Sequence, residues 1–212
     1  MTRCAAWCRC HASALERIGV DAVVCDLEAR DDIAAAVGTA DAVVFAAGAG
    51  PGSGAERKRT LDRDGALKLI EAARTNGIRR YVMVSAMNPE QPRGDEVFRY
   101  YLQMKAEADA ALRDSGCTWT RWCPGHLTDK PGTGCATAAR ELERSDIPRA
   151  DVAAVLAEVL DMSETIGLQF NVVAGDTPVR EALAALAEPA RSARNAGKTP
   201  RFGAQFPCNA PL

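Results

Sequence analysis

The feature that most constrains this chain is a regular alternation of β-branched runs with helical periodicities. Residues 12–18 read as a short helix closed by Gly19, and residues 20–26 (V-D-A-V-V-C-D) as a buried strand. Residues 31–40 place Ile33, Ala36, Val37 and Ala40 at helical spacing, with Asp31 and Asp32 suited to the first turn. A second strand run, D-A-V-V-F-A-A at 41–47, ends in glycines. A helix over 61–74 carries Ala66, Leu69, Ile70 and Ala73 on one face, with Gly77 at its C-cap. R-Y-V-M-V-S at 80–85 is a third strand, and 98–114 a helix with Met104, Ala108, Ala111 and Leu112 in register. Residues 117–123 are strand-like but polar, 151–160 a buried helix, 168–173 a strand and 177–186 a last helix. Such alternation builds βαβ units, so the expected class is α/β, a doubly wound parallel sheet covered on both faces. One domain over 12–187 is expected, with an irregular segment at 1–11 and a disordered, aperiodic tail at 188–212.

Charge narrows the partners. Lys+Arg 26 against Asp+Glu 28 leaves a net charge of -2 with no basic stripe, which argues against nucleic acid. The apolar runs fall far short of the roughly 20 residues of a membrane span. Met1-Thr2-Arg3-Cys4 opens no secretory signal, so a cytoplasmic location is expected. Cys4, Cys8, Cys10 and His11 could ligate zinc by type, but their spacing matches no common zinc site and no second ligand pair follows. No metal is expected, and the 8 cysteines are read as reduced thiols.

In parallel sheets, ligands sit at the carboxyl ends of the strands. Those ends carry Asp26-Leu27, then Ala46-Ala47-Gly48-Ala49-Gly50-Pro51-Gly52-Ser53-Gly54, then Ser85-Ala86-Met87, then Pro124-Gly125-His126-Leu127-Thr128. Tyr101 and Lys105 lie a turn apart on one helix face. A cationic lysine beside a phenol favours the phenolate and lowers its pKa, making the tyrosine a proton donor or acceptor near neutrality. A serine hydroxyl at a neighbouring strand end would hold a substrate carbonyl or alcohol oxygen. The bland alternative is a tyrosine packed on a lysine stem.

V-V-C-D-L (23–27), the 41–54 glycine run, D-G-A-L-K-L-I-E-A-A (64–73), R-Y-V-M-V-S-A-M (80–87), Y-L-Q-M-K (101–105), P-G-H-L-T (124–128) and D-V-A-A-V-L (151–156) occur in order. Together they resemble the atypical short-chain dehydrogenase/reductases, the small single-domain NAD(P)H-binding type that includes NAD-dependent epimerase and NmrA-like proteins. The resemblance implies a Rossmann-like fold and either NADP or NAD as cofactor. It implies that Asp26 and Leu27 border the adenine, while Ala46, Ala47, Gly48 and Ala49 pass under the ribose and pyrophosphate. It makes Ser85, Tyr101 and Lys105 the catalytic constellation, with Lys105 also reaching the nicotinamide ribose. Pro124, Gly125, His126 and Leu127 would line the nicotinamide pocket; a loop histidine bonded to backbone is the alternative for His126. Residues 88–97 and 130–144 would form the substrate lid.

Three stretches depart from that pattern. The first eighteen residues contain no glycine, so the strand, glycine-rich turn and helix that receive the pyrophosphate are absent from them. R-C-A-A-W-C-R-C at 3–10 is a poor strand, and Arg121 and Trp122 interrupt what should be an apolar one. The expectation is therefore an N-terminally incomplete Rossmann-like domain, from a truncated or frame-shifted reading frame, with severely weakened cofactor affinity. Glu56-Arg57-Lys58-Arg59 is read as a solvated helix start, and Asp129 and Asp151 as a loop carboxylate and a helix N-terminal residue. Functionally, the leading expectation is hydride transfer to or from a small carbonyl or alcohol substrate, with Tyr101 as proton donor. The alternatives are a non-catalytic NAD(P)-sensing or regulatory protein of the same fold and an inactive fragment. The small-molecule substrate and the oligomeric state are outside what the residues say.

Overall fold

The computed structural model describes residues 5–7, 12–29, 32–50, 52–89 and 94–187. The main sheet has six strands in the order β10-β7-β9-β5-β4-β3. These are β3 (Ala42–Phe45), β4 (Arg80–Val84), β5 (Thr118–Pro124), β7 (Cys135–Ala139), β9 (Gln169–Ala174) and β10 (Thr177–Pro178). β3, β4, β5 and β9 run parallel, as β-branched and aromatic runs buried on both faces require. β7 and β10 add antiparallel strands beyond β9. Two short parallel pairs stand apart from that sheet: β1 (Ala5–Trp7) with β2 (Asp21–Val23), and β6 (His126–Thr128) with β8 (Asp146–Pro148).

Helices cover both faces. On one face the residues of β3 and β4 that point that way, Val43, Phe45, Tyr81 and Met83, pack against α4 (Ala66–Thr75), α5 (Glu96–Asp114) and Val37 of α2 (Ala34–Val37). On the other, Val82, Trp122, Phe170 and Val172 pack against α6 (Arg149–Asp161) and α7 (Val179–Ala187). Strand alternation decides this division, because successive side chains point to opposite faces. α5 starts at Asp95, whose carboxylate accepts from the Phe98 N–H at 2.8 Å, and it is followed by Gly116 at φ 77. Ahead of α4, α3 (Ala55–Arg57) and a π-helical segment (Lys58–Gly65) form one continuous helical run.

Several expectations need correction. Within the segment read as irregular, Ala5–Trp7 is a strand, and α1 (Ala12–Glu16) joins it to β2. The rest of residues 1–11, with the cysteines and histidine considered for zinc, and the tail from residue 188 lie outside the described residues, side chains included. No described strand connects the β1–β2 pair to the main sheet, where β3 is an edge. The polar stretch 117–123 is no weak strand: β5 is interior, Trp122 and Cys123 are fully buried, and Arg121 is neutralised by an acidic partner. The 31–40 helix shortens to Ala34–Val37, because Gly38 at φ 60 stops it. Part of the expected lid, 130–144, is ordered as β7, a consequence of its small residues closing against β9.

Candidate active site

The candidate site forms where β3, β4 and β5 end. Tyr101, Lys105 and Asp109 follow at intervals of four along α5, so they form one stripe on the face turned to the sheet. Lys105 is 4% exposed and Asp62, from the π-helical segment, is 0% exposed; Lys105 Nζ lies 3.2 Å from Asp62 Oδ1. The other oxygen, Asp62 Oδ2, accepts from the Ala49 N–H at 3.2 Å. A carboxylate thus ties the lysine to the chain leaving β3. A Cβ at Gly48 would stand 3.2 Å from Asp62 Oδ1, so a side chain there would crowd this carboxylate.

A second buried pair lies one turn further along α5. Asp109 Oδ2 is 2.7 Å from Arg121 Nε and accepts from the Ser85 hydroxyl at 2.8 Å. Arg121 also donates through Nη2 to the Ala86 carbonyl at 3.2 Å. Burial raises the Asp109 carboxyl, and Arg121 then opposes that rise. The same surroundings act on Cys123, whose thiol burial pushes up to about 12. Ser85 therefore spends its single proton on Asp109 and presents only lone pairs elsewhere.

Tyr101 departs from the electrostatics expected of it. Lys58 Nζ lies 5.1 Å and Lys105 Nζ 5.9 Å from the centroid of its ring, which packs at 5.8 Å on Phe98. Yet its phenol is held well above the ordinary tyrosine range, by burial first and by the Asp62 carboxylate next. The expected lowering fails because burial disfavours the phenolate and the Asp62 carboxylate adds to that effect. Arg144, whose guanidinium lies 5.7 Å from the Phe98 ring centroid, pulls the phenol in the other direction without prevailing.

The remaining candidates sit as follows. Asp26 accepts from the Glu28 N–H at 2.9 Å, and the Leu27 carbonyl accepts from Lys68 Nζ at 2.9 Å while its side chain packs on Gly65. Ala46 and Gly48 are exposed; Ala47 is half-buried and Ala49 buried. Pro124 is half-buried and ends β5, and Gly125 must be glycine because a Cβ there would run into the Ser145 backbone carbonyl. His126 is exposed, its Nδ1 3.3 Å from Asp146, so its side chain belongs to the surface rather than to a pocket wall. Leu127 packs into the core on the α6 side. Thr128 Oγ1 is buried with no hydrogen-bond partner among the described residues. Asp151 does stand in the first turn of α6, but its carboxylate ties down the Thr133 and Gly134 N–H groups at 2.8 Å. A cavity of about 430 Å³ lies between the two expected lid segments, lined by Asn88, Glu141, Leu142 and Glu143.

Lys58, Asp62, Asp109 and Arg121 were missed from sequence as site residues. Lys58, read as solvated, is 8% exposed and donates to the Gly50 carbonyl at 2.7 Å. The available signal was positional: Asp109 is a charge four residues after Lys105 and three before the core residue Leu112, and a charge on a buried stripe requires a partner.

Fold and site together define a nucleotide-binding α/β protein of the atypical short-chain dehydrogenase/reductase, NmrA-like kind. Residues 9–163 match the NAD(P)H-binding family, and the chain belongs to it. It is 42% identical over 173 residues to the Bacillus subtilis protein named uncharacterized sugar epimerase YhfK, covering 81% of each. A solved Bacillus halodurans protein described as an NAD-dependent epimerase/dehydratase is 38% identical and superposes with a TM-score of 0.79, covering 87% of this chain and 88% of that one. The oxidoreductase ylbE of Lactococcus lactis is 26% identical, with a TM-score of 0.74 over 86% of this chain and 84% of that one. Among the described residues, no helix is long and apolar enough to cross a membrane.

Proposed function

We propose that this chain is an oxidoreductase that moves hydride between a nicotinamide cofactor, NADP or NAD, and a small carbonyl or alcohol substrate, with Tyr101 as the proton donor. The observation that carries the reading is the Tyr101–Lys105 pair facing the backbone that leaves β3, with Lys105 linked to it through Asp62. The residues present fit parts of such a cofactor: Ala46 and Gly48 are exposed on the loop assigned to the ribose and pyrophosphate, and the orphaned Thr128 hydroxyl calls for a polar partner. In that arrangement Lys105 would hold the ribose hydroxyls, and Pro124, Gly125 and the nearby Thr128 would border the ring. The bound cofactor supplies the hydride. Tyr101 keeps its proton at neutral pH, so it is equipped to deliver one to a carbonyl oxygen undergoing reduction. We place the protein in the cytoplasm, with no nucleic acid or membrane partner.

The test uses the full chain with NADPH and a panel of small aldehydes and ketones. Tyr101→Phe should lower turnover by about 10²–10⁴-fold while leaving NADPH affinity, read by fluorescence titration, unchanged. Turnover that survives the substitution refutes the proton-donor role. One observation favours a second reading, a non-catalytic NAD(P)-sensing or regulatory protein of the same fold: the Ser85 hydroxyl donates to Asp109 rather than standing free for a substrate oxygen. NADPH binding without turnover on any substrate of the panel would select it.

A further inference from the structure

The chain leaving β3 has unusual freedom, because Gly50 and Gly52 both adopt φ 75, a region only glycine enters without strain. Freedom of that kind is entropically unfavourable to a binding site unless something holds the backbone in one place. Two side chains do so. Asp62 accepts from the Ala49 N–H, and Lys58 donates to the Gly50 carbonyl at 2.7 Å. The two bonds flank a single peptide link, one grasping it from the amide before and one from the carbonyl after.

Both residues come from the π-helical segment Lys58–Gly65. They are four apart, a little under one turn of the widened π geometry, so both reach the same side. Both are buried. Each also touches the Tyr101–Lys105 pair: Lys58 lies over the Tyr101 ring and Asp62 pairs with Lys105. The same two side chains therefore set the loop and the pair in one frame.

We propose that Lys58 and Asp62 are positioning residues, a two-pronged clamp that fixes the Ala49–Gly50 backbone relative to Tyr101 and Lys105. The inference rests on the proposed oxidoreductase reading for its purpose, because the clamped backbone is the surface that reading assigns to the cofactor.

The test is amide hydrogen exchange by mass spectrometry on the full chain without cofactor, so the clamp and the oxidoreductase reading fail separately. Lys58→Met should speed exchange in peptides covering residues 46–54 by about tenfold or more, the loss of one charge-assisted hydrogen bond. Peptides from β4 and β5 should keep their protection, and Lys58→Arg should restore the loop to within about threefold of the parent. Lys58→Gln gives the same reading should the Met variant fail to fold. An unchanged loop, an equal rise across β4 and β5, or an Arg variant as fast as the Met variant would each overturn the proposal.

Discussion

Arg121→Met tests whether the buried Asp109–Arg121 pair is what lets a charged residue sit in an interior strand. Arg121 is 4% exposed and Asp109 2%, at 2.7 Å. Removing the guanidinium leaves the Asp109 carboxylate in the core with the Ser85 hydroxyl as its remaining hydrogen-bond donor among the described residues. Breaking a buried pair from one side costs about 3–5 kcal/mol, since the surviving charge is uncompensated. For a domain of this size that is a fall in Tm of about 6–20 °C. The loss should depend on pH with a definite sign. Burial already raises the Asp109 pKa, and Arg121 is the main influence opposing it, so the variant raises it further. A raised folded-state pKa gives stability that is present below the unfolded value and lost as pH rises through the folded one. The variant should therefore lose most at about pH 8 and progressively less as the pH falls towards 5. Urea denaturation across that range reads it directly. The double variant Arg121→Met with Asp109→Leu should recover most of the loss, because replacing both charges with apolar groups is often neutral. A single variant within about 1 kcal/mol of the parent, or a double variant no better than the single, would refute the reasoning.

Two further expectations follow from the same cluster. Cys123, fully buried with its thiol pushed up to about 12, should resist alkylation in the native protein and label only on unfolding; native labelling of its peptide at the rate of an exposed cysteine would contradict this. Tyr101 should stay protonated well past the ordinary tyrosine range, so the 295 nm difference between parent and Tyr101→Phe should be flat through about pH 10 while the fold persists; a phenolate step near neutrality would refute it.

The fold was largely legible because it rests on periodicity. Val82 and Trp122 face one layer while Tyr81 and Met83 face the other, and that alternation is written in the residues themselves. Arg121 misled in the opposite direction. A charge inside a strand run reads as interruption, since its partner is twelve residues away and on another element. Lys58 misled likewise, as its neighbours Glu56, Arg57 and Arg59 have the composition of a solvated face. His126, read as facing the nicotinamide or as bonded to backbone, stands exposed with its Nδ1 beside the Asp146 carboxylate, a partner its strand-end position does not encode.

By itself, then, the residue order determined the layered α/β architecture, the glycine run after β3 and the Tyr101–Lys105 spacing, all of them local patterns of period two or 3.6. Tertiary structure alone decided which charges matter. It brought Asp62 to Lys105 and Ala49, Arg121 to Asp109 and Lys58 to Gly50, and by burying Tyr101 near Asp62 it raised the phenol that the helix spacing alone would have lowered. The physical reason is that a pKa and an ion pair depend on burial and on groups distant in sequence, neither of which a local pattern encodes.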